Sequence, residues 1–255
     1  MRLYCVYHIG AMNGPRTQTI VDDQVKTLTM SGLMDRLEHV YVTLVGEDKD
    51  TITVPPKKFT KVYDDYDSSV CEFPAMNFIR DFSKSHRNDA LLYIHTKGAG
   101  SETNTWRKIM EHFCIHNFDT CTTLLEMYLT VGCLMQKDHY AGNFWWTRCN
   151  HAADREKPRV TWKQLLRKGI DAEKWIMSPP QRGMHASLFD ISYPLSISFP
   201  PSFTFGVHIG LYNEKIFPPV EKWNVRIRDN SKVDRKILPI IMYLLVLVLI
   251  KAKGE

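Results

Sequence analysis

The sequence predicts an α/β fold with a mostly parallel sheet flanked by helices, and three observations carry that prediction. The first 46 residues read strand, helix, strand. Their strand segments are nearly continuous in apolar and β-branched residues, as a parallel sheet covered on both faces requires. The alternation returns at 73–98, where a helical pattern leads into another apolar run.

Taken in order, RLYCVYHIG (2–10) is a β-rich run that ends at a glycine, followed by the polar loop AMNGPRTQ. In IVDDQVKTLTMSGL, Ile20, Val21, Val25, Leu28 and Leu33 share one helical face, and Gly32 stops the helix. HVYVTLVG (39–46) is the second strand, and a right-handed crossover sets it parallel to the first. VPPKKFTKVYDDYD is a prolyl, charged connection with one short strand expected at 59–63. FPAMNFIRDFSKS (73–85) puts Phe73, Met76, Ile79 and Phe82 at helical spacing, and ALLYIHTKG supplies the next strand. The stretch from Thr105 to Gly132 reads as one long or two short helices. An aromatic stretch, HYAGNFWWTR, then precedes a helix around 161–168 and a Pro-rich region from 179 to 220. The expected organisation is one domain over 1–230 and a basic, apolar tail over 231–255.

With 44% hydrophobic and 24% charged residues, wholesale disorder is excluded. The net charge of +5 comes from scattered basic residues, without the Lys/Arg block that tracks phosphates, so nucleic acid is not an expected partner. Six cysteines never form a C-x-x-C pair, and buried, reduced thiols are expected. Residues 237–250 carry no charge; as a helix these 14 residues span about 21 Å, short of a ~30 Å hydrocarbon core. Flanking lysines that snorkel would extend that reach. Two readings stand for this tail: a buried terminal element, or a membrane anchor that makes a membrane a partner. The expected location is correspondingly the cytoplasm or the cytoplasmic face of a membrane.

In an open α/β sheet, ligands bind beyond the carboxyl ends of the strands, where strand order reverses. His8 and the run His95-Thr96-Lys97-Gly98 each end a strand, which puts both on that edge. A lysine and imidazole N–H groups there suit diphosphate oxygens, and glycine allows close backbone approach; the plain alternative is a polar turn. GNFWW offers Asn143 for directed hydrogen bonds and Phe144, Trp145 and Trp146 as sugar-stacking rings, against a core-filling role for at least one of them. In DAEKW, Glu173 or Asp171 is a candidate general base. Asp65 and Asp67 in YDDYD, with His185 in RGMHAS, are the metal candidates, because carboxylate oxygens suit Mg or Mn. The triplet is not expected to end an apolar strand, which favours a solvated acidic turn.

Together these motifs resemble a group of glycosyltransferase-like proteins of large viruses, algae and bacteria. The His-Thr-Lys element is also similar to one in rhamnan-synthesis proteins of polysaccharide clusters. The resemblance runs from Tyr4 to about His185, through Tyr7-His8-Ile9-Gly10, Gln24, Ser31-Gly32-Leu33, His95-Thr96-Lys97-Gly98, Trp106-Arg107, Gly142-Asn143-Phe144-Trp145-Trp146 and Glu173-Trp175. It implies a GT-A-like, Rossmann-type nucleotide-sugar fold and transfer of a sugar to a glycan or other hydroxyl acceptor. Tyr7–Gly10 and His95–Gly98 would then hold nucleotide and diphosphate, with Arg107 adding charge and Asn143–Trp146 contacting sugar. His95-Thr96-Lys97 stands where such enzymes usually place Asp-x-Asp. Either His95 and Lys97 offset the diphosphate charge directly, or a divalent Mn or Mg ion takes other ligands. The competing expectation is a non-catalytic glycan- or nucleotide-binding module.

Overall fold

The computed structural model describes residues 1–96, 105–136, 138–158, 170–178, 184–188 and 226–227. The chain opens with β1 (Leu3–Gly10), α1 (Gly14–Met30), the single turn α2 (Leu33–Arg36), β2 (Leu37–Val45) and β3 (Phe59–Asp65). Next come α3 (Phe73–Ser85), β4 (Ala90–His95), α4 (Thr105–Glu111), a π-helical turn (His112–His116) and α5 (Phe118–Leu124). The second half holds β5 (Thr130–Gly132), β6 (Trp145–Arg148), α6 (Cys149–Ala153), α7 (Ile170–Trp175), β7 (His185–Ser187) and β8 (Arg226–Ile227). The expected helix around 161–168 and most of the Pro-rich region lie outside the described residues.

The sheet order is β3-β2-β1-β4-β6-β5-β7-β8. β3, β2, β1 and β4 are mutually parallel, as expected. β6 runs antiparallel to both β4 and β5, whereas β5 and β7 are parallel, so the sheet as a whole is mixed. The crossovers α1 and α3 lie on opposite faces of this parallel half, whereas β2 and β3 are joined through a single 3-10 turn, Lys49–Thr51. One face of β1, carrying Leu3, Cys5, Tyr7 and Ile9, packs with Val21 and Leu28 of α1 and with Ile109, Met110 and Phe118. On the other face Val6, Leu91, Tyr93 and Trp145 pack with Ala75, Met76 and Ile79 of α3, and with Cys149 and Ala172 of α6 and α7.

Local chemistry sets the boundaries. Asn13 caps α1 by accepting the Arg16 N–H, and Pro15 occupies its first turn. Gly32 takes φ 77°, the left-handed conformation that lets the chain leave α1 and restart as α2. α3 matches its predicted span, again with proline in the first turn. The strand expected at 59–63 instead continues to Asp65. The helical stretch after Thr105 is interrupted by the π turn, within which the Cys114 carbonyl accepts the Trp146 indole N–H at 2.8 Å.

The expected membrane contact is corrected. Among the described residues no helix is long and apolar enough to cross a membrane. Residues 237–250, on which that expectation rested, lie outside them.

Candidate functional site at the β1/β4 edge

From β1 the chain winds outward to β2 and β3, then returns to β4 on the opposite side of β1. The order therefore reverses between β1 and β4, and the carboxyl edge at such a reversal is where open α/β sheets form their ligand crevice. His8 and His95 are register partners there. The two strand ends are tied together: Gly10 N–H donates to Thr96 Oγ1 at 2.9 Å, and Thr96 N–H donates to the His8 carbonyl at 3.1 Å. Among the described residues, the nearest atom a Cβ on Gly10 would meet is Thr96 Oγ1, 3.9 Å away. Packing against the described residues does not demand glycine at this position.

Glu72 occupies the wall above the crevice and was not among the residues singled out from the sequence. It follows Cys71, held at φ 48°, and immediately precedes α3. Its Oε2 accepts the Tyr93 hydroxyl at 2.9 Å and the Asn143 side-chain N–H, while its Oε1 lies 3.5 Å from His95 Nδ1. A carbonyl can only accept, so His95 Nε2, 2.9 Å from the Gly142 carbonyl, carries a proton. His95 thus braces β4 against the turn before β6. Gly142 (φ 85°) and Asn143 (φ 60°) are both left-handed, which explains a glycine followed by an asparagine at this turn. Asn143 passes the network on, since its Oδ1 accepts the Trp145 indole N–H at 2.6 Å.

A second group stands beside the first. His139 Nδ1 lies 2.9 Å from Asp138 Oδ1, and its Nε2 lies 4.0 Å from Glu173 Oε2. Lys174 Nζ completes the group, 2.8 Å from Asp138 Oδ2. The Tyr93 hydroxyl is held by Glu72; burial raises its pKa far above the usual value, and the charges of Glu72 and Glu173 push in the same direction.

The structure relocates several expected ligand contacts. Tyr7 and Ile9 have no exposed surface, and the Tyr7 hydroxyl donates to Gln24 Oε1 at 2.7 Å; His8 lies on the other face of β1, 5% exposed and with Nδ1 3.0 Å from Thr43 Oγ1, which leaves Gly10 as the partly exposed member of that turn. Phe144, Trp145 and Trp146 are completely buried, and both indole N–H groups are satisfied inside the protein. A ring with no exposed face cannot stack on a sugar, so these three are core residues. Arg107 is 1% exposed and pairs with Glu111 Oε1 at 2.9 Å and with Asp23 Oδ2 at 3.4 Å, which withdraws it from any phosphate.

The start of α1 is likewise filled, because Asp48 Oδ2 accepts the Gly14 N–H at 2.9 Å. Asp64 and Asp65 do close a strand, contrary to expectation, but their carboxylates have local partners. Asp64 pairs with Lys49 and Lys61, Asp65 accepts from the Tyr63 hydroxyl and the Asp67 N–H, and Asp67 accepts from the Ser69 N–H. Backbone hydrogen bonding from Asp67 accordingly lowers the Asp65 pKa. His185 sits at the start of β7, on the sheet edge opposite the crevice, bonded to Thr130 Oγ1 at 2.7 Å. Among the described residues no three His, Cys, Asp or Glu side chains converge as a metal cage would need. Lys97, Gly98 and the side chain of Asp171 lie outside the described residues.

A family model described as a domain of unknown function, DUF8361, matches residues 3–181. The chain belongs to the DUF8361 family. No curated protein matches it. The DUF8361 span contains every residue of the two groups just described, and it ends before β7 and the apolar tail.

The buried histidines of this DUF8361 chain make its stability depend on pH. His8 is pushed down to about 4 by burial, with the Glu72 charge opposing the shift and His95 adding to it. Burial pushes His151 and His185 down to about 4 as well. The unfolded chain titrates these rings near 6.5, so between pH 6.5 and 4 it binds more protons than the folded one. Stability is expected to be level above pH 7 and to fall progressively from 6.5 to 4 as the histidine contribution is lost, with protonation of Asp65 and Asp138, whose pKa values are lowered, continuing the fall below that. Urea midpoints across that range check it, and a midpoint that rises as pH drops would contradict neutral burial of these rings.

Proposed function

We propose that this protein is a glycosyltransferase of GT-A-like type that moves a sugar from a nucleotide-sugar donor to a glycan or other hydroxyl acceptor. One observation carries the reading: the strand order reverses between β1 and β4, and His8, Gly10, His95, Thr96 and Glu72 gather at the carboxyl ends of those strands. The 3-2-1-4 parallel half, a doubly wound arrangement suited to nucleotides, and the sequence resemblance support it. Donor diphosphate would lie over Gly10 and Thr96, whose hydroxyl has a hydrogen left to donate after accepting from Gly10. Lys97 would follow at the phosphates. Glu72 and Asn143 would present polar edges to the sugar, and Glu173 with its neighbours would face the acceptor hydroxyl.

Calorimetric titration with a set of nucleotide-sugars, with and without Mn, tests this reading. A donor should bind the wild-type protein, and release of nucleoside diphosphate should follow when acceptor is supplied. Gly10→Ala should fold and melt like the wild type, because among the described residues its Cβ meets only Thr96 Oγ1, at an ordinary contact distance of 3.9 Å. It should nevertheless bind donor at least tenfold more weakly, about 1.4 kcal/mol, since the methyl group would stand against the diphosphate. Unaltered donor affinity in Gly10→Ala would move the site elsewhere. Donor binding without any turnover would favour the non-catalytic module, and dependence of binding on Mn would make a metal part of the site.

A further inference from the structure

The Asp138–His139–Glu173 group has the geometry of an acid–base device. A carboxylate can only accept, so the 2.9 Å contact to Asp138 Oδ1 fixes the proton of a neutral His139 on Nδ1. The lone pair is then on Nε2. The 4.0 Å from Nε2 to Glu173 Oε2 is too long for a hydrogen bond, yet short enough for the carboxylate to stabilise a charge that appears on the ring. His139 and Glu173 are 23% and 20% exposed, so a ligand hydroxyl can reach them, whereas His8 and His95 are nearly closed off. Every charged group facing the ring among the described residues belongs to this set: Asp138 on its own loop, and Glu173 and Lys174 on α7. Lys174 engages the other oxygen of Asp138, which holds that carboxylate in place and keeps its pKa low.

We propose that His139 Nε2, rather than a carboxylate, takes the proton of the acceptor hydroxyl, with Asp138 as the positioning residue and Glu173 facing the resulting imidazolium. The inference rests on the glycosyl-transfer reading. In the step, the acceptor oxygen bonds to the anomeric carbon as the bond from that carbon to the diphosphate oxygen breaks. Nucleoside diphosphate leaves with the electron pair, the hydroxyl proton moves to Nε2, and it is lost to solvent after product release. Ala172 and Trp175 of α7 pack in one cluster with Tyr93 of β4, whose hydroxyl donates to Glu72, and this packing brings the helix that carries Glu173 to the same side of the switch strand.

The test uses the full chain, with a donor identified by calorimetry and an acceptor that supports release of nucleoside diphosphate. His139→Gln should lower kcat by about 10²–10⁴-fold, the usual share of general acid–base catalysis, while donor affinity stays within about twofold of wild type, since the residue faces the acceptor side. The acid limb of the kcat–pH profile should vanish in this variant. In ¹⁵N-histidine spectra the neutral wild-type ring should be the Nδ1–H tautomer, and Asp138→Asn should erode that preference without unfolding the protein. Full turnover by His139→Gln, or an Nε2–H ring in the wild type, would overturn the proposal and leave glycosyl transfer standing. A wild-type protein that binds and turns over no donor overturns both.

Discussion

Trp146→Ala should destabilise the protein by about 3–5 kcal/mol, the cost of truncating a core aromatic side chain. Three effects add in the same direction. The ring is fully buried in the core beneath α4 and the π turn, so a large cavity opens. Its N–H is the partner of the Cys114 carbonyl, which would be left unpaired inside the protein. The π turn that carries this carbonyl also loses its tie to β6. Trp146→Phe separates these effects, because it keeps most of the ring volume and removes the donor; about 1–3 kcal/mol should remain. Thermal melts with denaturant titrations measure both. A Trp146→Ala protein that melts like wild type would mean that the ring is not core, and would restore a ligand-facing role for GNFWW.

That expectation also marks where the sequence stopped being informative. Apolar periodicity reports which face of an element is buried, and it placed β1, α1, β2, α3 and β4 correctly because each packs in layers with a regular repeat. The crevice edge was legible for the same reason, since a polar cluster after an apolar strand has few other places to go in a parallel sheet. Periodicity says nothing about which distant atom receives an indole N–H. Adjacent tryptophans on a strand necessarily point to opposite faces. In a sheet covered on both sides both are core, and that inference was available from the α/β prediction itself.

Glu72 escaped because a lone acid before a helix ordinarily reads as solvated. Its signal was position: an acid directly before Phe73-Pro74, at a helix start, on the connection that returns from β3 to the switch strand β4. His139 gave less warning. An Asp-His pair in a loop is common, and only the return of α7 brings Glu173 opposite it. The antiparallel insertion of β6 between β4 and β5 was not legible either, since a four-residue strand after a turn fits several pairings.

Arg107 is the clearest case of a motif whose chemistry is consumed internally, and removing its partner should have an effect as large as losing the tryptophan. Arg107 and Glu111 are one helical turn apart, both almost free of exposed surface, with the guanidinium 2.9 Å from the carboxylate. Among the described residues Arg107 Nε has no hydrogen-bond partner, and without Glu111 the guanidinium keeps the longer, 3.4 Å contact to the partly exposed Asp23. Glu111→Ala should therefore cost about 3–5 kcal/mol, the usual penalty for stranding one member of a buried pair. Lys108, whose Nζ lies 3.0 Å from the same carboxylate, loses a contact too but remains 3.1 Å from Asp23, at a site that is partly exposed. The paired change Arg107→Met with Glu111→Leu removes both charges and keeps similar volume. It should recover most of the loss, because the desolvation penalty disappears along with the attraction. With the single changes Arg107→Met and Glu111→Leu added, wild type and the double variant complete a double-mutant cycle whose coupling term isolates the pair. If instead the guanidinium served the ligand, Arg107→Met with Glu111→Leu would fold stably yet lose donor affinity, and calorimetry on that variant distinguishes a structural arginine from a phosphate-binding one.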